Sequence, residues 1–425
     1  MWGDWGDAVD KVKNDVAPER RPSGTSRGTN QSGVRLYNER LVLSLIRRYG
    51  ALPKADMARM TGLSPQTMSI ITNALEADGL VRRGEPLRGK VGQPLVPYSL
   101  APEGAYSFGL KIGRRSADLY LIDFRGGVVA LLHETYLYPT PDGLRQFTAR
   151  GIDQLIAKVP ERYQARIAGI GVAAPFEVWT WHEEIGAPKA EIDAWRDIDV
   201  AKMIGALCPW PVYYANDITA AAAAELMFGK GAEHPDYLYL FIGSFIGGGL
   251  VLDGHLFPGR RQNAAAIGSM PAISRAGRTR SGLVPQLVNV ASIYVLERKL
   301  IEQGRDASFL WKTPDDWNDD LGKALDEWLD DTAFALAYAI ASAVAVVDVQ
   351  TVIIDGAFPS WVRTRVIAAT RQALSRVNLQ GLSSFDLVEG SIGNAARAMG
   401  GAALPLLANF TQDREVLFKE TESAR

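Results

Sequence analysis

A single cysteine, Cys208, in 425 residues excludes an internal disulfide and any cysteine-rich zinc site. No stretch approaches the roughly 18 uninterrupted apolar residues of a membrane span, so no membrane partner is expected. The first residues carry Asp4, Asp7 and Asp10 where a signal peptide would need an apolar run, so the expected location is cytoplasmic. Histidine is scarce as well. His133, His182, His234 and His255 are scattered, and packing or surface roles are expected for them; Glu183-Glu184 beside His182 reads as a solvated loop. What is present is ordinary for a soluble globular protein, with 47% apolar and 22% charged residues and length for two or three domains.

The net charge of −2 is unevenly placed. From Arg35 to Leu100 ten basic residues face five acidic ones, an excess of five that leaves −7 on the rest. A basic segment on an acidic body is the asymmetry of a phosphate-binding module joined to something that binds no nucleic acid.

Residues 1–33 show no sustained period and read as a disordered arm, although Trp2 and Trp5 are unusual there. Residues 34–100 read as a winged helix-turn-helix. Leu41, Leu45 and Ile46 recur at helical spacing up to Gly50, and a short helix from Pro53 stops at Gly62. Ser64 is placed to cap a third helix that has Pro65 at its first position. Met68, Ile71 and Leu75 share one face of it; Gln66, Thr67, Ser69, Ile70 and Asn73 share the other. Small polar side chains near the start of such a helix suit base edges in a major groove. Ser64, Gln66, Thr67, Ser69 and Asn73 are the expected readers, with Arg82, Arg83, Arg88 and Lys90 on phosphates. The segment from Arg82 to Tyr98, broken by glycine and proline, reads as a hairpin wing.

The body, 105–408, reads as α/β. Phe108–Asp123 forms two strands about a turn at Gly113, followed by Val128–Glu134, a helix from about Gly143 to Val159 and the strand Ile167–Ala173. A similar run recurs at Tyr237–Phe257 around the glycines Gly243, Gly247, Gly248 and Gly249, and a long apolar helix covers Thr332–Val347. Two such halves predict a duplicated fold with a cleft, lobes at about 105–217 and 218–392, a C-terminal segment returning to the first lobe, and a tail at 409–425.

The chain resembles the ROK family of repressors and sugar kinases over residues 35–408. Gly62-Leu63-Ser64-Pro65-Gln66-Thr67-Met68-Ser69 looks like the helix-turn-helix of its repressor branch. Asn216-Asp217-Ile218-Thr219 and Gly247-Gly248-Gly249-Leu250-Val251-Leu252-Asp253-Gly254, then Asn263-Ala264, are similar to body signatures. The resemblance implies a duplicated actin-like ATPase fold with the first glycine turn at Gly113 and a second at Gly243–Gly249 for phosphates. Asn216, Asp217, Asn263 and Ser269 are its implied ligand residues. Asp217 stands at the family's catalytic base, or serves as a helix cap, or both.

Other parts depart from the family's pattern. Lys111 stands where a metal-holding Asp is expected, and Arg114-Arg115 replace small residues of the first turn. Ser244-Phe245 replace Thr-Gly in the second turn, with Phe245 expected to pack between the lobes. Ala266 and Ser269 replace a sugar-gripping Glu and a His that also binds zinc, and no cysteine lies between Pro271 and Val284, so no zinc is expected. The aromatic group Phe176, Trp179, Trp181 and Trp195 reads equally as a sugar-stacking surface or as a lid on its own core.

These readings converge on a transcription regulator, a homodimer or higher homo-oligomer, that binds a double-stranded DNA operator and senses a sugar-like effector without a cofactor. An alternative is a sugar or amino-sugar kinase using ATP and magnesium with an appended DNA-binding head. A third is a regulator whose body only dimerises.

Overall fold

The structure, a computed structural model, describes residues 31–86, 95–175, 187–273, 283–317 and 321–412. Its N-terminal part is built from α1 (Gln31–Tyr49), β1 (Leu52–Pro53), α2 (Lys54–Thr61), α3 (Pro65–Ala77), β2 (Val81–Arg83) and β3 (Pro97–Leu100), with sheet order β1-β3-β2. Local chemistry sets the α2–α3 turn. Gly62 takes φ +72° and closes α2 by donating to Ala58 O, and Ser64 Oγ accepts from Thr67 N to start α3 behind Pro65. Met68, Ile71 and Leu75 of α3 pack on Val42, Leu43 and Ile46 of α1 and on Met57. Helix α1 begins at Gln31, inside the stretch read as an arm, and buries Val42 and Leu43 in place of Leu41 and Leu45. The first turn of α1 carries no acidic residue, and its apolar repeat begins only later, so no local signal marks its start. The wing tip, with Arg88 and Lys90, lies outside the described residues.

The body repeats one pattern twice. The first sheet runs β6 (Val128–Thr135), β5 (Ser116–Asp123), β4 (Tyr106–Ile112), β7 (Ile167–Ala174), β8 (Val212–Asn216). The second runs β11 (His255–Leu256), β10 (Ile246–Leu252), β9 (Tyr237–Ile242), β12 (Thr351–Gly356), β13 (Asp386–Glu389). In both, three antiparallel strands are extended by two parallel ones. Phe108, Leu110, Leu119 and Ile170 pack with Phe147 and Leu155 of helix α4 (Pro141–Ile156) in the first core. In the second core, strand β9 meets the helix Gly322–Val347.

That 26-residue helix is long and apolar enough to cross a bilayer. It begins ten residues before the apolar stretch legible in the sequence. Leu325, Trp328, Leu336 and Ile340 are buried in the lobe, and Trp328 Nε1 donates to Ser292 O at 3.0 Å.

Two helices join the parts. The helix Ala396–Phe410 returns to the first lobe and crosses the helix Asp217–Phe228 so closely that a Cβ on Gly400 would stand 1.8 Å from Ala220 O. Along their length Met227, Met399 and Leu406 share one core with α1, α3, Ile122 and Phe124, and Phe410 meets Phe124 edge-on at 4.8 Å. Arg166 Nη1 donates to Gly79 O at 3.3 Å and to Glu103 O at 3.2 Å, and Gln412 N donates to Ser44 Oγ at 3.2 Å. A shared core of large side chains, each worth about 1.5–3 kcal/mol on burial, makes the head an integral part of the body.

Candidate functional site

Between the lobes lies a cavity of about 330 Å³, joined at Gly113, Arg114, Ser244, Tyr294 and Arg397 to a second of about 270 Å³. The first is lined by Asn216, Asp217, Asn263 and Ser269 together with Gln286 and Asn289. Asn216, not Asp217, caps the helix Asp217–Phe228, its Oδ1 accepting from Ile218 N at 3.0 Å, so the cap reading of Asp217 is wrong. An extended residue just before the helix has its side chain in reach of the free N–H groups, whereas Asp217 already belongs to the first turn. Its Oδ2 lies 3.6 Å from Arg397 Nη1. Burial raises the Asp217 pKa, and Arg397 and Lys111 oppose that rise.

The glycines divide. Gly113 forms the β4–β5 turn, its N–H donating to Ser116 O, and Tyr136 Oη donates to its carbonyl at 2.7 Å. The second turn is shorter than the sequence reading placed it. Ile246 pairs with Ile242, leaving only Gly243-Ser244-Phe245 outside the ladder and making Gly247, Gly248 and Gly249 strand residues. They are needed for close packing. A Cβ on Gly247 would meet Ile218 at 2.7 Å, on Gly248 Ala265 O at 2.6 Å, and on Gly249 Ala222 at 2.6 Å. Gly247 and Gly248 still line the cavity; Gly243 and Gly249 do not.

The second cavity is occupied by the chain's own ion pairs. Lys111 Nζ is buried between Ser116 Oγ at 2.8 Å and Asp118 Oδ2 at 2.7 Å; burial lowers its pKa and Asp118 opposes this. Asp118 also meets His133 Nδ1 at 2.5 Å, and although burial would raise it, Lys111 and His133 hold it well below the usual carboxylate range. Arg114 crosses to the other lobe, pairing with Glu297 at 3.0 Å and lying 5.9 Å from the Phe245 ring, which packs on Tyr294. A magnesium ion beside the first turn would meet the Lys111 ammonium, and Asp118 there is already engaged by Lys111 and His133. Among the described residues no group of three His, Cys, Asp or Glu side chains is placed to hold a metal ion. The sole thiol, Cys208, sits in the first lobe against Ile204 O and Trp210 O, and Ser269 stands at the cleft.

Of the aromatic group, Trp195 is a core residue donating from Nε1 to Pro139 O at 2.9 Å; Phe176, Trp179 and Trp181 lie outside the described residues. Sequence reasoning missed Arg397, Gln286, Asn289 and Glu297, none of which stands in a local pattern.

On the head, Gln66 and Asn73 are exposed along α3, and Thr67 and Ser69 are partly so. Ser64 is spent on the cap, and Asn73 Oδ1 accepts from Lys54 Nζ at 2.9 Å. Ile70, 60% exposed on the same face, offers the apolar contact that a thymine methyl takes. Arg82 is exposed; Arg83 is exposed and pairs with Glu76 at 2.8 Å. Arg47 must be removed from the basic surface. Its guanidinium lies 4.9 Å from the Phe124 ring centre, and burial lowers its pKa to about 10.

A ROK family model matches residues 107–407, and a winged helix-turn-helix DNA-binding model matches 35–82. The xylose repressor of Bacillus spizizenii is 26% identical over 241 residues, 57% of this chain and 62% of that protein, so the match spans less than two thirds of it. A crystal structure of a ROK family transcriptional regulator, a homologue of the E. coli MLC protein, aligns with TM-score 0.63 and 21% identity, covering 89% of this chain and 97% of that one. A ROK hexokinase from Thermus thermophilus aligns with TM-score 0.52 and 22% identity over 71% of this chain and 98% of its own. At these identities the two structures speak for the fold, a winged helix before a duplicated sugar-kinase-like body, which is the fold expected from the sequence. The chain belongs to the ROK family.

Proposed function

We propose that this protein is a DNA-binding transcription regulator, a homodimer on a double-stranded operator, whose cleft takes a small sugar-like effector and whose kinase chemistry is lost. One observation carries the reading. The two helices that begin in the cleft with Asp217 and Arg397 end in the core of the winged helix. A ligand that favours one lobe arrangement therefore shifts the ends of both helices, and with them the separation of two heads on half-sites about one DNA turn apart. Gln66, Ser69 and Asn73 face base edges, and Arg82, Arg83, Arg88 and Lys90 face phosphates. Asp217, Asn263 and Ser269 meet effector hydroxyls. The name of the xylose repressor supports both the sugar and the repression. The Lys111 ammonium beside the first turn disfavours a bound magnesium ion, and Asp217 lies beside the Arg397 guanidinium, which supports loss of catalysis and of any cofactor.

Footprinting of purified protein on its own upstream region, with and without sugars that raise its melting temperature, tests this. Protected half-sites that respond to such a sugar are expected. Binding insensitive to salt, or ATP turnover on a sugar panel, would overturn it.

A further inference from the structure

Of the five cationic side chains that line the two cavities, Lys111, Arg114 and Arg397 stand nearest the first turn and Asp217, and their carboxylate partners differ. Lys111 holds Asp118 at 2.7 Å and Arg114 holds Glu297 at 3.0 Å. Among the described residues the one carboxylate paired with Arg397 is Asp217, at 3.6 Å, beyond hydrogen-bond length. Its Nε is buried and has no hydrogen-bond partner among the described residues. The guanidinium lies 5.2 Å from the centre of the Phe241 ring, which holds its plane, and its side chain is 12% exposed. A desolvated guanidinium with donors to spare is costly unless something supplies acceptors.

Its position says what could supply them. Arg397 lines both cavities, so it stands at their junction, beside Asp217 and opposite the neutral hydrogen-bonding wall of Asn263, Ser269, Gln286 and Asn289. A sugar ring in the larger cavity would place the substituent facing Asp217 against the guanidinium. The planar fork of arginine accepts a carboxylate or phosphate through two parallel N–H···O bonds, a match that a neutral hydroxyl cannot make. Burial favours the protonated form of Asp217, which reduces repulsion of such a group.

We infer that Arg397 is the specificity-determining residue of the cleft, and that the effector is a sugar bearing an oxyanion, carboxylate or phosphate, on the carbon that faces Asp217. This rests on the reading of the cleft as an effector site and narrows its ligand class.

The test is isothermal titration of the full-length protein with three matched sets: pentoses and hexoses, their terminal phosphates, and the corresponding uronates. One of the two oxyanion sets should bind at least about tenfold more tightly than its neutral parents, and which one does separates phosphate from carboxylate. R397Q should abolish the preference. R397K, which keeps the charge and loses the fork, should retain only part of it. Neutral sugars binding as well as their oxyanions, with R397Q indifferent, would overturn this inference and leave the sugar-sensing reading standing. Absence of binding by every member would overturn both.

Discussion

Replacing Gly400 by alanine probes the crossing that links cleft to head. The new Cβ would lie 1.8 Å from Ala220 O and 2.2 Å from Ala220 C, where ordinary contact begins near 3.4 Å. Both obstacles are backbone, so no side chain can swing aside and the two helices must part by more than an ångström. Overpacking of this kind costs about 1–3 kcal/mol. At about 2–4 °C per kcal/mol, the melting temperature should fall by roughly 2–12 °C. Gly205→Ala is the matched control, since its Cβ would meet only Val212 Cγ2, at 3.6 Å. It should be neutral or slightly stabilising. Scanning fluorimetry reads both variants, and DNA titrations with and without effector read the coupling, which should weaken in Gly400→Ala alone. A Gly400→Ala protein as stable and as responsive as Gly205→Ala would refute the claim that this crossing transmits the signal.

Other expectations follow from the same geometry. Gln66→Ala or Asn73→Ala should cost about 1–3 kcal/mol on the operator with little change in salt dependence, while Arg82→Ala should weaken binding evenly and lower the salt slope by about one; gel-shift titrations across salt distinguish them. Arg47→Met should leave the slope unchanged, because its guanidinium is packed on Phe124. The raised pKa of Asp217 means that its protonated form contributes stability below the unfolded pKa, and that this is lost as pH rises through the folded value. The melting temperature of Asp217→Asn relative to wild type should therefore climb as pH rises above the ordinary carboxylate range; a falling difference would show that the ion pair with Arg397 stabilises. Glu297→Ala should destabilise by up to about 3–5 kcal/mol by removing the carboxylate that pairs with Arg114 across the lobes, whereas Arg114→Met with Glu297→Leu should recover most of that, as thermal melts would show.

Much of this was legible in the sequence because it is local. Gly62, Ser64 and Pro65 announce the α2–α3 turn, and alternating strands about Gly113 announce the first sheet. What was missed depends on distant partners or on register. Whether Gly247 and Gly248 form a turn or a strand is decided by pairing with Phe241 and Leu240, which no local pattern states. Asn216 and Asp217 are neighbours of similar capping propensity, and only the helix boundary tells them apart. Arg47 resembles any surface arginine until Phe124 and Phe228 are brought to it. Arg397 lies 180 residues from Asp217, so their pairing exists only in the fold.

The central claim is that occupancy of the cleft changes what the head does. The most direct measurement is the affinity of full-length protein for its operator fragment, titrated in the presence and absence of a sugar ligand that raises its melting temperature. The account predicts a change of at least about tenfold, or about 1.4 kcal/mol of coupling. An operator affinity unaltered by a ligand that demonstrably fills the cleft would contradict it.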